Sequence, residues 1–362
     1  MKKMTLILLF AVVVSACGPA VTPTPTPIPP TAVPTQEPEA LAAEIDALVQ
    51  ENHQNGVYDG AILVARDGQV ILSQGYGFAD REEQIPNTPQ TKFRIASITK
   101  QFTAMAILLL QEQGKLNVED SICNYIDDCP EIFEPVKIRH LLSQSAGIPN
   151  NTTYSFSGDQ MVSEFATLNF PPGEQFHYQD ITYNLAGRII ETVSGQSYAS
   201  FLQQKIFEPL GMSSSGVDDR KQSDLAMGYP DSEGDIAMEQ PYLFAEGSVY
   251  STVEDMYRWD QALYTDELLP QSSLKAMFTP QTAVPDGEYY GFDGSTGWSY
   301  GFGWFIAPKE LGYVLHGGTL PGYRSEIRRY IDDETVIILL TNQEAVALYP
   351  TAEAIAAMLF GE

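Results

Sequence analysis

Apolar side chains at Leu41, Ile45 and Leu48 recur at helical spacing, so Glu39 to Asn52 is predicted to form an amphipathic helix. Ala61–Ala65 and Val70–Ser73 are short apolar runs flanking Asp67-Gly68, a dipeptide suited to the tight turn of a β-hairpin. The middle of the chain is mostly helical in pattern, as over Ser97 to Gln113 and Leu185 to Ser194. Strand-like runs return at Gly303–Ala307, Gly312–Leu315, Ser325–Ile331 and Thr335–Thr341, with Asp332-Asp333-Glu334 as the turn between the last two. A closing helix is expected from about Thr351 to Phe360. Strands at both ends with helices between them predict an α/β protein of α+β type: an antiparallel sheet flanked by helices, with an inserted helical lobe. No internal repeat is visible.

The first residues change the picture of where this domain works. Lys2 and Lys3 precede an apolar run, Leu6 to Val14, of the length of a secretory signal and too short to span a bilayer. Val14-Ser15-Ala16-Cys17 resembles a bacterial lipobox, which implies cleavage after residue 16 and lipid on Cys17; a simple cleaved signal with a chance cysteine is the alternative. Residues 19–38 hold eight prolines and no aromatic residue, a composition that favours extended polyproline II. At about 3.1 Å per residue this spacer reaches roughly 60 Å. The expected layout is a signal peptide over 1–16, the lipobox Cys and Pro/Thr-rich spacer over 17–39, and one domain over 40–362. Within it, a sheet lobe takes about 40–96 and 300–362, and a helical lobe about 97–299. The expected location is extracytoplasmic, lipid-anchored to a bacterial membrane. In that compartment Cys123 and Cys129 are expected to form a local disulfide, with two free thiols the alternative.

Charge narrows the partners. The chain has 20 Lys+Arg against 47 Asp+Glu, a net charge of −27, and removing residues 1–16 leaves 18 − 47 = −29. Nucleic-acid binding needs clustered cations and is excluded as a reading, as is docking on anionic lipid through a basic face. With 44% apolar residues the chain has ample material for a core.

Four histidines without metal-ligand spacing, and no HExxH, Walker or GxGxxG motif, point away from metal and nucleotide cofactors; none is expected. Serine chemistry remains. Ser97-Ile98-Thr99-Lys100 places an amine on the same helical face as a hydroxyl, and a neighbouring proton acceptor makes a hydroxyl a competent nucleophile. The same S-x-x-K spacing occurs at Ser272–Lys275, where it reads as surface helix. Gly297-Trp298-Ser299-Tyr300-Gly301 has the form of a nucleophile elbow but lacks the helix that must follow, and reads as a strand entry.

Context separates these candidates. FRIASITKQFTAMAILLLQEQGKLNVEDSI (93–122) closely resembles the active-site helix of the class C β-lactamase-like serine hydrolases, a family of β-lactamases, D-alanyl-D-alanine carboxypeptidases, D-amino-acid peptidases and esterases. GAILVARDGQVILSQGYGFAD (60–80), IRHLLSQSAGIPN (138–150), PPGEQFHYQDITYNLAGRIIETVSGQSY (171–198), EGSVYSTVEDMYRW (246–259), YGFGW (300–304) and HGGTLPGY (316–323) follow the family order. The resemblance covers nearly everything from residue 40 onward. It implies a β-lactamase/transpeptidase-like fold and acyl-enzyme chemistry. In it Ser97 is the nucleophile, Lys100 its proton acceptor or electrostatic partner, and Tyr178 the group that moves the proton. The backbone N–H groups of Ser97 and Thr319 form the oxyanion hole, and His316, Gly317 and Gly318 line the substrate cleft.

Two positions depart from the family. Tyr178-Gln179-Asp180 carries an acid where Y-x-N has an amide. An ionised Asp180 can only accept hydrogen bonds, so it would suit a donor on the substrate such as a free amine, and beside Lys100 it would make the amine a weaker base. His316 replaces the lysine of the β-lactamase motif and offers a weaker anchor for a substrate carboxylate, or simply packs against and orients Tyr178. Gln144 stands where relatives often have histidine, and no chemistry is assigned to it. The expected function is a membrane-tethered serine hydrolase of amide or ester bonds, acting on D-amino-acid-containing peptides or esters. The alternatives are a β-lactamase or a non-catalytic peptidoglycan-binding lipoprotein. The expected partners are a small peptide, ester or β-lactam-like substrate and the membrane through Cys17.

Overall fold

The computed structural model describes residues 38–149, 167–230, 243–286 and 296–361. Residues 1–16, Cys17 and the spacer up to residue 37 lie outside the described residues. The helices are α1 (Pro38–Gln54), α2 (Thr99–Glu112), α3 (Ile138–Leu142), α4 (Asp180–Ser194), α5 (Tyr198–Leu202), α6 (Val253–Ala262), α7 (Gln271–Leu274) and α8 (Leu348–Phe360). The strands are β1 (Gly60–Arg66), β2 (Gln69–Tyr76), β3 (Phe78–Asp80), β4 (Ile85–Pro86), β5 (Phe93–Arg94), β6 (Gly216–Val217) and β7 (Val249–Ser251). They continue as β8 (Thr282–Ala283), β9 (Ser299–Tyr300), β10 (Phe305–Ile306), β11 (Val314–Leu320), β12 (Tyr323–Tyr330) and β13 (Thr335–Thr341). Among the described residues no helix is long and apolar enough to cross a membrane.

An antiparallel sheet in the order β2-β1-β13-β12-β11-β10-β9-β8 organises the domain. Every residue of β13, TVIILLT, is buried, because both faces of the sheet are covered. On one face Ile62, Val64, Ile337 and Leu339 pack against Leu41, Ile45 and Val49 of α1 and Ile355 and Leu359 of α8. On the other, Leu63, Val336, Ile338 and Leu340 join the helical lobe around α2, which is buried from Thr99 to Leu110. Adjacent arginines on β12 point to opposite faces, and each buried guanidinium meets carboxylates: Arg329 meets Asp260 of α6, while Arg328 meets Glu326 and Glu353 of α8. Burying either charge without its partner would be strongly unfavourable.

Several boundaries differ from the periodicity reading for local reasons. The Asp67-Gly68 turn has both residues at positive φ, as a tight hairpin requires, but the strands either side run longer than expected. α8 begins at Leu348 rather than Thr351, since Pro350 is tolerated in a helix's first turn. α4 begins at Asp180 rather than Leu185, with Gln179 extended before it. β11 continues through Gly317-Gly318 to Leu320, where a glycine pair signals close approach rather than a strand end. The segment between β12 and β13 is a 3-10 turn, Ile331–Asp333, closed by Glu334 at φ 43°. Two short strands, β8 and β9, join the large sheet from within the segment assigned to helices. Cys123 and Cys129 are bonded, with their Cα atoms 5.2 Å apart.

One feature of the topology positions the site. On β11, only Val314 and Leu315 pair with β10, so the edge of β11 from His316 onward is released by that neighbouring strand. The 3-10 turn Ala96–Ile98, which precedes α2, packs against β11 instead.

Candidate active site

Ser97 sits in the turn Ala96–Ile98 at the entrance to α2. Ala96 lies at φ 49°, a left-handed conformation that costs a non-glycine residue on the order of 1–2 kcal/mol. The surroundings hold it there. Ile95 N–H donates to Val249 O (3.0 Å), Ser325 Oγ donates to Ile95 O (2.8 Å), and Val249 N–H donates to Thr99 Oγ1 (3.0 Å). The serine hydroxyl is thereby presented half-buried rather than packed into the lobe.

Lys100 lies one turn on, with its side chain wholly buried. Its Nζ donates to Ser97 Oγ at 3.0 Å, Asp180 Oδ1 at 2.8 Å and the Glu246 carbonyl at 2.9 Å. Three acceptors match the three N–H bonds of an ammonium. Burial raises the Glu246 carboxyl above the usual carboxylate range, with the nearby Asp180 charge adding to it, and its Oε2 accepts from Phe244 N–H at 2.8 Å.

The centroid of the Tyr178 ring is 4.8 Å from Lys100 Nζ. The ring lies nearly parallel to Phe305 (6.2 Å, 11°) and edge-on to Tyr300 (6.3 Å, 88°). Gln144, to which the sequence assigns no chemistry, positions this segment. Its Oε1 accepts from Gln179 N–H (2.8 Å) and Thr182 Oγ1 (3.1 Å), and its main-chain carbonyl accepts from His177 N–H (2.8 Å). Asp180 is the first residue of α4, where the helix dipole favours a carboxylate. With 58% of its side chain exposed, it can meet both Lys100 and a ligand.

His316 borders the cavity but is itself only 1% exposed. Nδ1–H donates to Gly317 O at 2.7 Å, which leaves Nε2 to accept from the Tyr300 hydroxyl at 3.0 Å. Burial, and then the Lys100 charge, lower its pKa to about 3, so the imidazole is neutral at ordinary pH. Its Nε2 bonds Tyr300, while its ring also lies against that of Tyr178, with centroids 6.1 Å apart. The two glycines also have separate reasons. A Cβ on Gly318 would lie 2.4 Å from Ile95 O and 2.8 Å from Ala96 Cβ, so that residue seats the serine turn. A Cβ on Gly317 would meet only Ser325 O at 3.3 Å, and this glycine opens the strand to the cleft.

A cavity of about 510 Å³ joins these groups. Ser97, Tyr178 and Asp180 line it together with β11 from Leu315 to Thr319, and it extends to Arg324 and Glu326 of β12 and the first turn of α8. Lys100 lies buried at hydrogen-bond distance from two of the lining residues. The other serine motifs lie elsewhere. Ser273 of the second S-x-x-K bonds Glu112 (2.8 Å), and Ser299 is a residue of β9 with no helix after it. The sequence assigns no role to Gln144, Glu246, Tyr300 or Arg324: the first three lie within family-like stretches whose motifs name other residues, and Arg324 lies just beyond the last stretch.

The chain as a whole has counterparts among known proteins. The beta-lactamase family model matches residues 41–360. The chain is 32% identical to a penicillin-binding protein of Bacillus subtilis (strain 168), over 86% of this chain and 74% of that one. It superposes on the octameric penicillin-binding protein homologue from Pyrococcus abyssi with TM-score 0.77 and 30% identity, covering 88% of this chain and 77% of that one. A D-amino acid amidase from Ochrobactrum anthropi SV3 shares the fold at TM-score 0.73 and 22% identity, over 89% of this chain and 99% of that one.

Proposed function

The chain belongs to the beta-lactamase family of serine hydrolases, and on that premise we propose that Ser97 forms an acyl-enzyme with amide or ester substrates containing a D-amino acid. The observation that carries this reading is the set of three contacts at Lys100 Nζ. Because the amine already donates to Ser97 Oγ, it serves as an electrostatic partner, and the serine proton passes to Tyr178. The closeness of Lys100 Nζ to the Tyr178 ring, 4.8 Å from its centroid, supports that pairing of roles.

Attack of Oγ on the carbonyl gives a tetrahedral oxyanion held by the backbone N–H groups of Ser97 and Thr319. Tyr178 returns the proton as the C–N or C–O bond breaks and the amine or alcohol departs. Water then attacks the acyl carbonyl, loses its proton to Tyr178, and Ser97 is regenerated.

Asp180 selects the substrate in this account. Its exposed carboxylate accepts a hydrogen bond from a donor, as the free amine of a D-aminoacyl group supplies. The fold shared with a D-amino acid amidase supports that choice. The lipobox-like Val14–Cys17 and the proline-rich spacer support an extracytoplasmic, lipid-anchored location for the domain.

A turnover panel tests the reading: D-alanine amide, a D-alanyl ester, an acetylated D-alanyl-D-alanine and a cephalosporin. The free-amine substrates are expected to be turned over fastest, and Asp180→Asn to lower their kcat/KM by roughly 10-fold relative to the acetylated peptide. A cephalosporin as the best substrate, or selectivity unmoved by Asp180→Asn, would overturn it.

A further inference from the structure

The segment 244–249 behind Ser97 carries one charged side chain, Glu246, and that side chain is buried. A turn over 245–247 folds the segment back, so that the Phe244 carbonyl accepts from Gly247 N–H (3.3 Å) and Ser248 N–H (3.1 Å). The Glu246 carboxyl closes the same turn from within, its Oε2 accepting from Phe244 N–H at 2.8 Å. The main-chain carbonyl of Glu246 accepts from Lys100 Nζ at 2.9 Å. One residue thus ties the turn with its side chain and meets the buried amine with its backbone.

Neighbouring contacts pin the ends of the segment. Thr103 Oγ1 donates to Ala245 O at 2.7 Å, and Val249 bonds Ile95 and Thr99 on either side of Ser97. A Cβ on Gly247 would lie 3.8 Å from the Ala96 carbonyl carbon, in ordinary contact with the Ser97 turn. Between these anchors, the direction of the Glu246 carbonyl depends on the turn that its own carboxyl closes.

Three titratable groups from other elements act on this carboxyl or are acted on by it: Lys100 of α2, Asp180 of α4 and Tyr198 of α5. Lys100 is matched by Asp180 at 2.8 Å, and among the described residues no cation lies within salt-bridge distance of the Glu246 carboxyl. Burial and the Asp180 charge accordingly raise its pKa, against the smaller pull of Lys100, and burial keeps Tyr198 neutral as well.

We propose that the Glu246 side chain is a positioning residue: by closing the turn on Phe244 N–H it aims its own carbonyl at Lys100 Nζ and so holds the ammonium on Ser97 Oγ and Asp180 Oδ1. It does this as the uncharged acid, without adding a second negative charge beside Asp180. Glutamine copies that form and can accept the Phe244 N–H through Oε1, whereas alanine removes the tie.

The inference rests on the proposed partnership of Lys100 with Ser97 but not on the substrate assigned to the site. Its test is therefore labelling of Ser97 by a fluorophosphonate, resolved into kinact and KI. Glu246→Gln is expected to label within about 2-fold of the parent, and Glu246→Ala to lower kinact roughly 10-fold with KI little changed. Glu246→Met, similar in size but without the acceptor, should show the same loss with the space filled. Urea unfolding of the parent and Glu246→Gln reads the proton. The folded acid keeps a proton that the unfolded chain releases above its ordinary pKa of 4.5, so stability is lost as pH rises. From pH 5 to 7 the unfolding constant of the parent should rise relative to that of Glu246→Gln by up to about 10-fold per pH unit. Undiminished kinact in Glu246→Ala or Glu246→Met, a Glu246→Gln protein as slow as either, or a ratio of unfolding constants that ignores pH overturns the inference. A parent unlabelled at Ser97 would instead refute the acyl-enzyme reading, and this inference with it.

Discussion

His316 offers a quantitative test of the account, because the fold holds it neutral. In the unfolded chain a histidine titrates near 6.5, whereas burial lowers this one to about 3. Between those values the unfolded state binds a proton that the folded state does not. Stability is therefore present above the unfolded pKa and lost as pH falls through the window from 6.5 toward 3. At about 1.36 kcal/mol per pH unit, acidifying from pH 7.5 to 5.0 costs about 2 kcal/mol through this residue alone. His140, lowered to about 4, acts in the same direction. Urea unfolding of the parent and of His316→Gln at both pH values isolates the term. Whatever the variant costs at pH 7.5, its loss on acidification should be smaller than the parent's by about 2 kcal/mol. Equal losses in the two proteins would refute a buried, neutral His316 and restore a cationic anchor on β11.

The remaining expectations concern how the site is seated. Gly318→Ala should abolish most turnover, since the new Cβ would overlap Ile95 O at 2.4 Å and displace the Ser97 turn. Gly317→Ala should fold normally and discriminate only against bulky substrates; steady-state kinetics on small and large esters separates the two. Gln144→Ala leaves the buried Gln179 N–H without its side-chain acceptor, so kcat should fall about 10-fold or more with little change in KM. An equal rise in KM would instead mark Gln144 as part of the binding surface.

Much of this site is legible in the sequence, and the limits have physical causes. β13 was read to the residue because an unbroken apolar run between polar turns has one outcome when both faces are covered. Ser97, Lys100, Tyr178 and His316 belong to local motifs whose order identifies the family. The acid at Asp180 was equally visible, as a departure from a motif. Gln144 was invisible as a positioning residue because its partners, Gln179 and Thr182, lie more than thirty residues away. The neutrality of His316 depends on burial, which spacing does not report. Arg324, which lines the cavity, was within reach in principle: counting back across the Pro321-Gly322 turn places it opposite Thr319. It was missed because the expected strand stopped at Leu315, short of the residues that pair.

The central claim is that Ser97 becomes covalently acylated. Intact-mass measurement after incubation with a fluorophosphonate, followed by peptide mapping, tests it most directly. The account predicts one adduct per chain, located on the peptide containing Ser97, lost in Ser97→Ala and retained in Ser272→Ala and Ser299→Ala. An adduct on another serine, or equal labelling of Ser97→Ala, would contradict it.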